Sequence, residues 1–395
     1  MAGATTFYFH VHQPVRLKKY SIFHDSCSTP WDAYFDQELN QSIFWRATKK
    51  CYYPATQILH EKVLEYDGRF KVAFSITGVW LEMAQKLTPY IVDLFRAMLD
   101  TDSVELLGET YYHSLAGLYD EKEEFREQVK MHREIMKDVF GVEPRVFRNT
   151  EAIYDNNIAS EIERMGYKGI ITEGSSRVLG WRSPNYLYRN KDGNMKVLMR
   201  NFQLSDDIAF RFSSRNWHCW PLTAEKFADW LKGAEGDIVN IYVDYETFGE
   251  HHWPENGIHD FLKHLPGRVL EAGSGFSTPS EAVDRFDARS EVDVPFAISW
   301  ADQDRDVSTW LGNKLQHQCF KELRDLEGAV KARGDPDIQH IWRLLQTSDH
   351  LYYLSTKTAS DGEVHQYFSP YGSPYDAFVN YVNIIRDMAR RIHEG

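Results

Sequence analysis

Along roughly the first 250 residues, short apolar runs rich in Val, Ile, Phe and Tyr alternate with longer stretches whose apolar positions recur three and four apart. The runs predict strands over 7–11, 72–75, 104–106, 145–148, 169–172, 197–200 and 238–243, with helices between most of them, for example over 91–99 and 124–139. Repeated β-then-α order implies parallel strands with helices outside. Seven runs place the chain in the α/β class, as a seven-stranded (β/α) incomplete TIM-like barrel, one strand short of the eight-stranded form. One departure is Asp192-Gly193 between extended segments at 186–189 and 196–200, which reads as a hairpin turn. Beyond Phe296 the pattern turns helical over 307–326, 337–348 and 375–393, with Pro370 and Pro374 separating the last two. The expected division is a catalytic barrel over 1–295 and a C-terminal helical domain over 296–395, packed at the barrel mouth and contributing to the cleft.

Catalytic groups in parallel α/β folds stand at or just beyond the C-terminal strand ends. Here those ends carry His10-Val11-His12-Gln13-Pro14, Glu109-Thr110-Tyr111-Tyr112-His113, Asn149-Thr150-Glu151, Thr172-Glu173-Gly174 and Asp244-Tyr245-Glu246 running on to His251-His252-Trp253. The strand starts carry nothing comparable. Glu151 and Asp244 each follow an apolar run closely, so both are expected to project into one mouth. Two carboxyls across a bond are what glycoside hydrolysis requires, one ionised and one protonated. An acid after a strand is also an ordinary helix cap, and spacing alone does not rank Glu151 against Glu109 or Asp244 against Glu246. His10 and His12 share one strand face. They suit either sugar hydroxyls or, with a third ligand, zinc. Trp300, Asp302 and Trp310 form a further cluster, part of which reads as a helix start, and Ser348-Asp349-His350 puts polar groups inside a helical pattern.

Composition sharpens this picture. Aromatic residues make up 14% of the chain, with 11 Trp and 22 Tyr. Rings with an apolar body and a polar tip suit a carbohydrate cleft, though a large core also uses them. The formal net charge of −13 repels phosphate backbones and anionic lipid, so neither nucleic acid nor membrane is an expected partner. Cys27, Cys51, Cys219 and Cys319 lie far apart, with no zinc-ribbon or redox spacing. No signal peptide or spanning segment is read, and the expected location is cytoplasmic.

Together the ordered segments His12-Gln13-Pro14, Gly78-Val79-Trp80-Leu81-Glu82, Phe147-Arg148-Asn149-Thr150-Glu151, Asp244 to His251, Ser299-Trp300-Ala301-Asp302 and Thr347-Ser348-Asp349-His350 resemble glycoside hydrolase family 57, in particular its compact α-amylase-like members. They span nearly the whole chain. The resemblance implies a retaining hydrolase acting on α-1,4-glucans or maltooligosaccharides through a glycosyl-enzyme. Glu151 would be the nucleophile and Asp244 the acid/base. His10, His12, Trp80, His113, Glu246, His251, Trp300, Asp302, Asp349 and His350 would serve as substrate-binding residues, with no metal or cofactor. A 4-α-glucanotransferase or branching enzyme on the same site is the near alternative. A zinc-dependent carbohydrate deacetylase using His10 and His12, or a non-catalytic sugar-binding protein, are the alternatives of other classes.

Overall fold

In the computed structural model, residues 3–21, 29–357 and 369–394 are described; Cys27 lies outside them. Among the described residues, nine strands form two sheets. β1 (Ala4–Val11), β2 (Val72–Ile76), β3 (Val104–Leu106) and β8 (Ile238–Asp244) make one, in the order β3-β2-β1-β8, all parallel. β4 (Val146–Arg148), β5 (Gly169–Glu173), β6 (Leu187–Asn190), β7 (Lys196–Arg200) and the two-residue β9 (Glu291–Val292) make the other, in the order β4-β5-β7-β6-β9. β6 and β7 are the antiparallel hairpin that Asp192-Gly193 announces, and Asp192 takes a positive φ in its turn.

The expected barrel was an incomplete one, and among the described residues no continuous ladder closes it. On one side the sheets meet through an isolated parallel bridge, Gly108 to Phe147. On the other, the Asn201 amide donates to the Asn240 carbonyl at 2.8 Å, and the Asn240 side chain donates to the Met199 carbonyl at 2.9 Å. At Gly108 a Cβ would meet the Tyr167 ring at 2.5–2.8 Å, so the close approach of the two sheets there requires glycine.

Alternation along the strands nonetheless directs both sheets at one interior. Tyr8, Ala73, Leu107, Val146, Ile171, Leu198 and Tyr242 lie in one buried cluster with Ala282 and Val283 of the helix Pro279–Arg285. Two residues further along each of these strands stand His10, Ser75, Glu109, Arg148, Glu173, Arg200 and Asp244. Since side chains two apart share a face, an apolar layer floors a polar one.

Helices cover the outside. The segment read as one helix over 307–326 is two, Ser308–Leu311 and Lys314–Asp325, split at Gly312 with Asn313 capping the second. The segment over 337–348 likewise becomes Pro336–Leu345 and Ser348–Tyr352, and the last helix is Pro374–Glu394. Trp310, Trp342 and Tyr381 from these helices share a hydrophobic cluster with Phe147 and Ile170 of the second sheet. That packing presents Ser348 and Asp349 to the strand ends. No helix among the described residues is long and apolar enough to cross a membrane.

Candidate active site

Glu151 sits in the turn Thr150–Ala152 just after β4, with φ +56°, and Ala152 follows at +51°. His113, Asp302 and Arg305 are also left-handed; among the described residues these five make up most of the eight non-glycine positive-φ positions. Such backbone costs of order 1–3 kcal/mol per residue and persists where surroundings enforce it. At Glu151 and His113 the surroundings include hydrogen bonds to one carboxylate, that of Glu151. His113 Nε2 lies 3.2 Å from Glu151 Oε1, the Ser348 hydroxyl donates to the same oxygen at 2.8 Å, and Trp300 Nε1 donates to Oε2 at 2.9 Å. Burial pushes the Glu151 carboxyl up, but the His113 hydrogen bond and the charges of His113 and Arg148 outweigh it, so its pKa falls below the ordinary value.

The donors are themselves braced. His113 places Nδ1 3.5 Å from Glu109 Oε2, so its ring spans two carboxylates. Although burial opposes the charged ring, those carboxylates raise its pKa to about 9, and it stands as an imidazolium at neutral pH. Glu109 is wholly buried, accepts a hydrogen bond from the Ser75 hydroxyl, and has its pKa lowered despite burial because His113 and Arg148 flank it. Trp300 is held by Arg305, which donates to its carbonyl at 2.6 Å. Arg148 lies 4.8 Å from the centre of the Trp300 ring. Arg305 and Arg200 pair with Glu173 and Asp206 in a buried network that fixes the 300–306 loop against β5 and β7.

Asp244, at the end of β8, has a different environment. Burial raises its pKa first and the negative Glu151 second, to about 6. Glu246 is raised further, to about 8, by burial and then by Asp244; it accepts a hydrogen bond from the Tyr52 hydroxyl. Tyr52 belongs to a π-helical turn, Thr48–Tyr52, held tight to the β8 loop: the Cys51 thiol donates to the Tyr245 carbonyl at 2.9 Å, and a Cβ at Gly249 (φ +138°) would run into the Lys50 carbonyl.

Several other expected residues join this cluster. His12 bridges Thr77 Oγ1 at 2.9 Å and Asp349 at 3.2 Å, and Asp349 is thereby lowered against the burial that would raise it. His10, His12 and His113 stack, with His113 4.7 Å from His10 and 4.2 Å from His12. His10 lies 3.5 Å from Arg148 Nη1; burial and that cation keep it neutral. Asp302 pairs with Lys357 at 2.6 Å and accepts a hydrogen bond from the Thr309 hydroxyl, anchoring its loop. His251, whose amide donates to the Glu246 carbonyl at 2.9 Å, is lowered to about 3 by burial and by His252.

Two expected residues stand apart. Trp80 is fully buried among Phe44, Tyr52 and Phe95, behind the wall that Tyr52 presents to Glu246. His350 packs on the Tyr381 ring, since one step along a helix turns it away from Asp349 toward Pro374–Glu394. Sequence reasoning did not single out Arg148, Ser348, Arg200 and Asp206. Arg148 and Ser348 sit inside motifs already noted, and a cation two residues past an inward apolar strand position is the signal that would have found Arg148 and Arg200.

Among the described residues, zinc on His10 and His12 together finds no common set of donors. Two sets of donor atoms come within 4.8 Å of one another, His10/Glu109/His113 and His12/His113/Asp349, and neither contains both. Each needs His113, whose nitrogens already face Glu109 and Glu151, and the Arg148 guanidinium lies 3.5 Å from His10 and 4.0 Å from Glu109. A guanidinium there opposes a divalent cation.

The chain matches the model of Glycosyl hydrolase family 57 over residues 6–295. A Methanocaldococcus jannaschii protein bearing the name "Putative alpha-amylase" is 47% identical over 400 residues, 98% of this chain and 85% of that protein. The GH57 branching enzyme of Thermococcus kodakaraensis, in complex with glucose and additives, superposes with TM-score 0.73 at 15% identity, over 99% of this chain and 90% of that one. The GH57-type branching enzyme of Pyrococcus horikoshii gives 0.70 at 16%, over 100% and 95%. At such identities these structures speak for the fold. With the family model matching residues 6–295 and a relative 47% identical over 98% of this chain, the chain belongs to glycosyl hydrolase family 57 and is an enzyme of that family.

Proposed function

We propose that the enzyme acts on α-1,4-glucans by double displacement, with Glu151 as nucleophile and Asp244 as acid/base. The observation that carries this reading is the pair of carboxyls driven apart: Glu151 lowered among three donors, Asp244 raised to about 6 by burial and by Glu151 itself. Environments that separate two acids in this way assign the ionised and the protonated role.

Glu151 attacks the anomeric carbon while Asp244 gives its proton to the leaving oxygen. Once Glu151 is esterified its negative charge is gone, the electrostatic push on Asp244 disappears, and the Asp244 pKa falls. The same group is then ionised, ready to take a proton from water or from a sugar hydroxyl. His113, Ser348 and Trp300 orient the nucleophile; they also take back its charge when the ester breaks. His12, Asp349, Glu246, His251 and Asp302 line the approach and are the candidates for sugar hydroxyls.

In this reading the two sheets are one incomplete (β/α)7 barrel over 1–295. The helical region over 296–395 completes the cleft through Trp300, Ser348 and Asp349. The 4-α-glucanotransferase of Thermococcus litoralis shares the fold, with TM-score 0.65 at 17% identity. Hydrolysis and transfer differ in which acceptor Asp244 activates, and a product profile from maltooligosaccharides separates them. The mechanism itself is tested by following product anomers by NMR during early turnover: α-anomer first supports double displacement, β-anomer first refutes it.

A further inference from the structure

On the outer wall, between the helices Tyr53–Tyr66 and Pro89–Leu99, runs an open groove of about 620 Å³. Its floor is Leu94 and Ala97, and its rim is Tyr53 and Tyr90 with Gln57 and Asp93. The two tyrosines meet edge to face at 5.7 Å and stay 41% and 45% exposed. The Gln57 amide donates to the Tyr53 hydroxyl at 2.8 Å, which holds that ring in place from one helical turn away.

We propose that this groove is a second, non-catalytic α-glucan-binding site, a platform that holds a polymer chain beside the active-site mouth; the proposal rests on the function inferred above. Apolar ring faces beside an amide and a carboxylate match a sugar, whose C–H faces stack on aromatics and whose hydroxyls pair with polar tips. No lysine or arginine lines the groove, which disfavours an anionic ligand. Continuity with the catalytic site is the second argument. Tyr52 reaches inward to Glu246, while Tyr53, the next residue, turns outward into the groove. Lys50, on the same π-helical turn, lies 5.3 Å from the ring of Trp253, an exposed residue on the loop that follows Asp244. Three residues of chain thus separate Lys50, at the Trp253 ring, from Tyr53 on the groove rim.

The test combines Tyr53→Ala with Tyr90→Ala and reads two things in the full chain: turnover of a short maltooligosaccharide, and retardation in native gels containing amylopectin. The expected result is short-substrate turnover within about twofold of wild type and apparent amylopectin affinity at least fivefold weaker. Tyr53→Phe with Tyr90→Phe, which keeps both rings, should restore retardation. Unchanged retardation in the alanine variant with normal short-substrate turnover overturns the groove and leaves the catalytic reading standing. If wild type turns over no α-glucan of any length, the catalytic reading falls and the groove proposal with it. If sedimentation shows that the alanine variant loses self-association while retardation is intact, the groove belongs to a second copy of the chain, and the glucan proposal is overturned.

Discussion

The end of β4 and the end of β8 face the same space with opposite surroundings. Glu151 is ringed by donors: an imidazolium, an indole N–H and a hydroxyl, with a buried guanidinium behind them. Asp244 has burial, a negative neighbour and the protonated Glu246 two residues on. Two carboxyls at or just past equivalent strand ends therefore have pKa values moved in opposite directions. The difference is made by partners supplied from the segment after β3, from the 300–306 loop and from the Ser348–Tyr352 helix, not by the strands themselves.

The largest expected effect comes from removing the donor-ringed carboxylate. Glu151→Gln should lower kcat roughly 10⁴-fold or more and abolish the glycosyl-enzyme for every substrate in trapping experiments followed by mass spectrometry. A trapped intermediate in that variant would mean the nucleophile is elsewhere. Next, Asp244→Asn should cost about 10²–10⁴-fold on a natural α-glucan and far less on a substrate whose leaving group needs no proton. Equal losses on both substrates would remove Asp244 from the proton-donor role.

His113→Gln should lower kcat roughly 10–100-fold, the scale of one hydrogen bond to a charged group, and shift the acidic limb of the kcat/KM profile upward as Glu151 loses its cationic partner. An unmoved acidic limb would show that His113 does not set the Glu151 pKa. In wild type the alkaline limb should fall as pH rises through about 6, where Asp244 deprotonates.

The smallest effect belongs to Glu246→Gln, which keeps the shape and hydrogen-bonding pattern of a neutral carboxyl and should change kcat less than about tenfold. Its mark is on stability. A folded pKa of about 8 against an ordinary 4.5 means the folded state holds a proton that the unfolded chain has released. That contribution is present below pH 4.5 and is lost as pH rises toward 8, by about 1.4 kcal/mol per pH unit. The variant should lose this component of the slope in denaturant titrations at stepped pH; an unchanged slope would show Glu246 to be ionised in the native state.

Much of this comparison was legible in the linear chain. Short apolar runs located seven strands to within a few residues, and the polar residues that follow them pointed to His10, Glu151 and Asp244, while Arg148, inside its strand, was passed over. The hairpin at Asp192-Gly193 was visible because its turn demands positive φ. The two-sheet arrangement was not, because a barrel and two abutting sheets share one alternation pattern and differ at single joints such as Gly108–Phe147. The choice of Glu151 over Glu109 was not legible from spacing either. Both follow a strand, and what separates them is depth: Glu109 lies sealed beneath His113, while Glu151 reaches the cleft with Trp300 and Ser348, 149 and 197 residues away in the chain. Trp80 and His350 were assigned to the cleft on their motifs, and helical phase turned both into the core.

The central claim, that the donor-ringed Glu151 attacks and the buried Asp244 moves the proton, is tested most directly by azide rescue. Asp244→Ala with an activated α-glucosyl donor should accumulate the glycosyl-enzyme. Added azide should then accelerate turnover and release the α-glycosyl azide, its configuration retained through two displacements. Rescue in Glu246→Ala but not in Asp244→Ala, or a β-glycosyl azide from Asp244→Ala, would contradict the account.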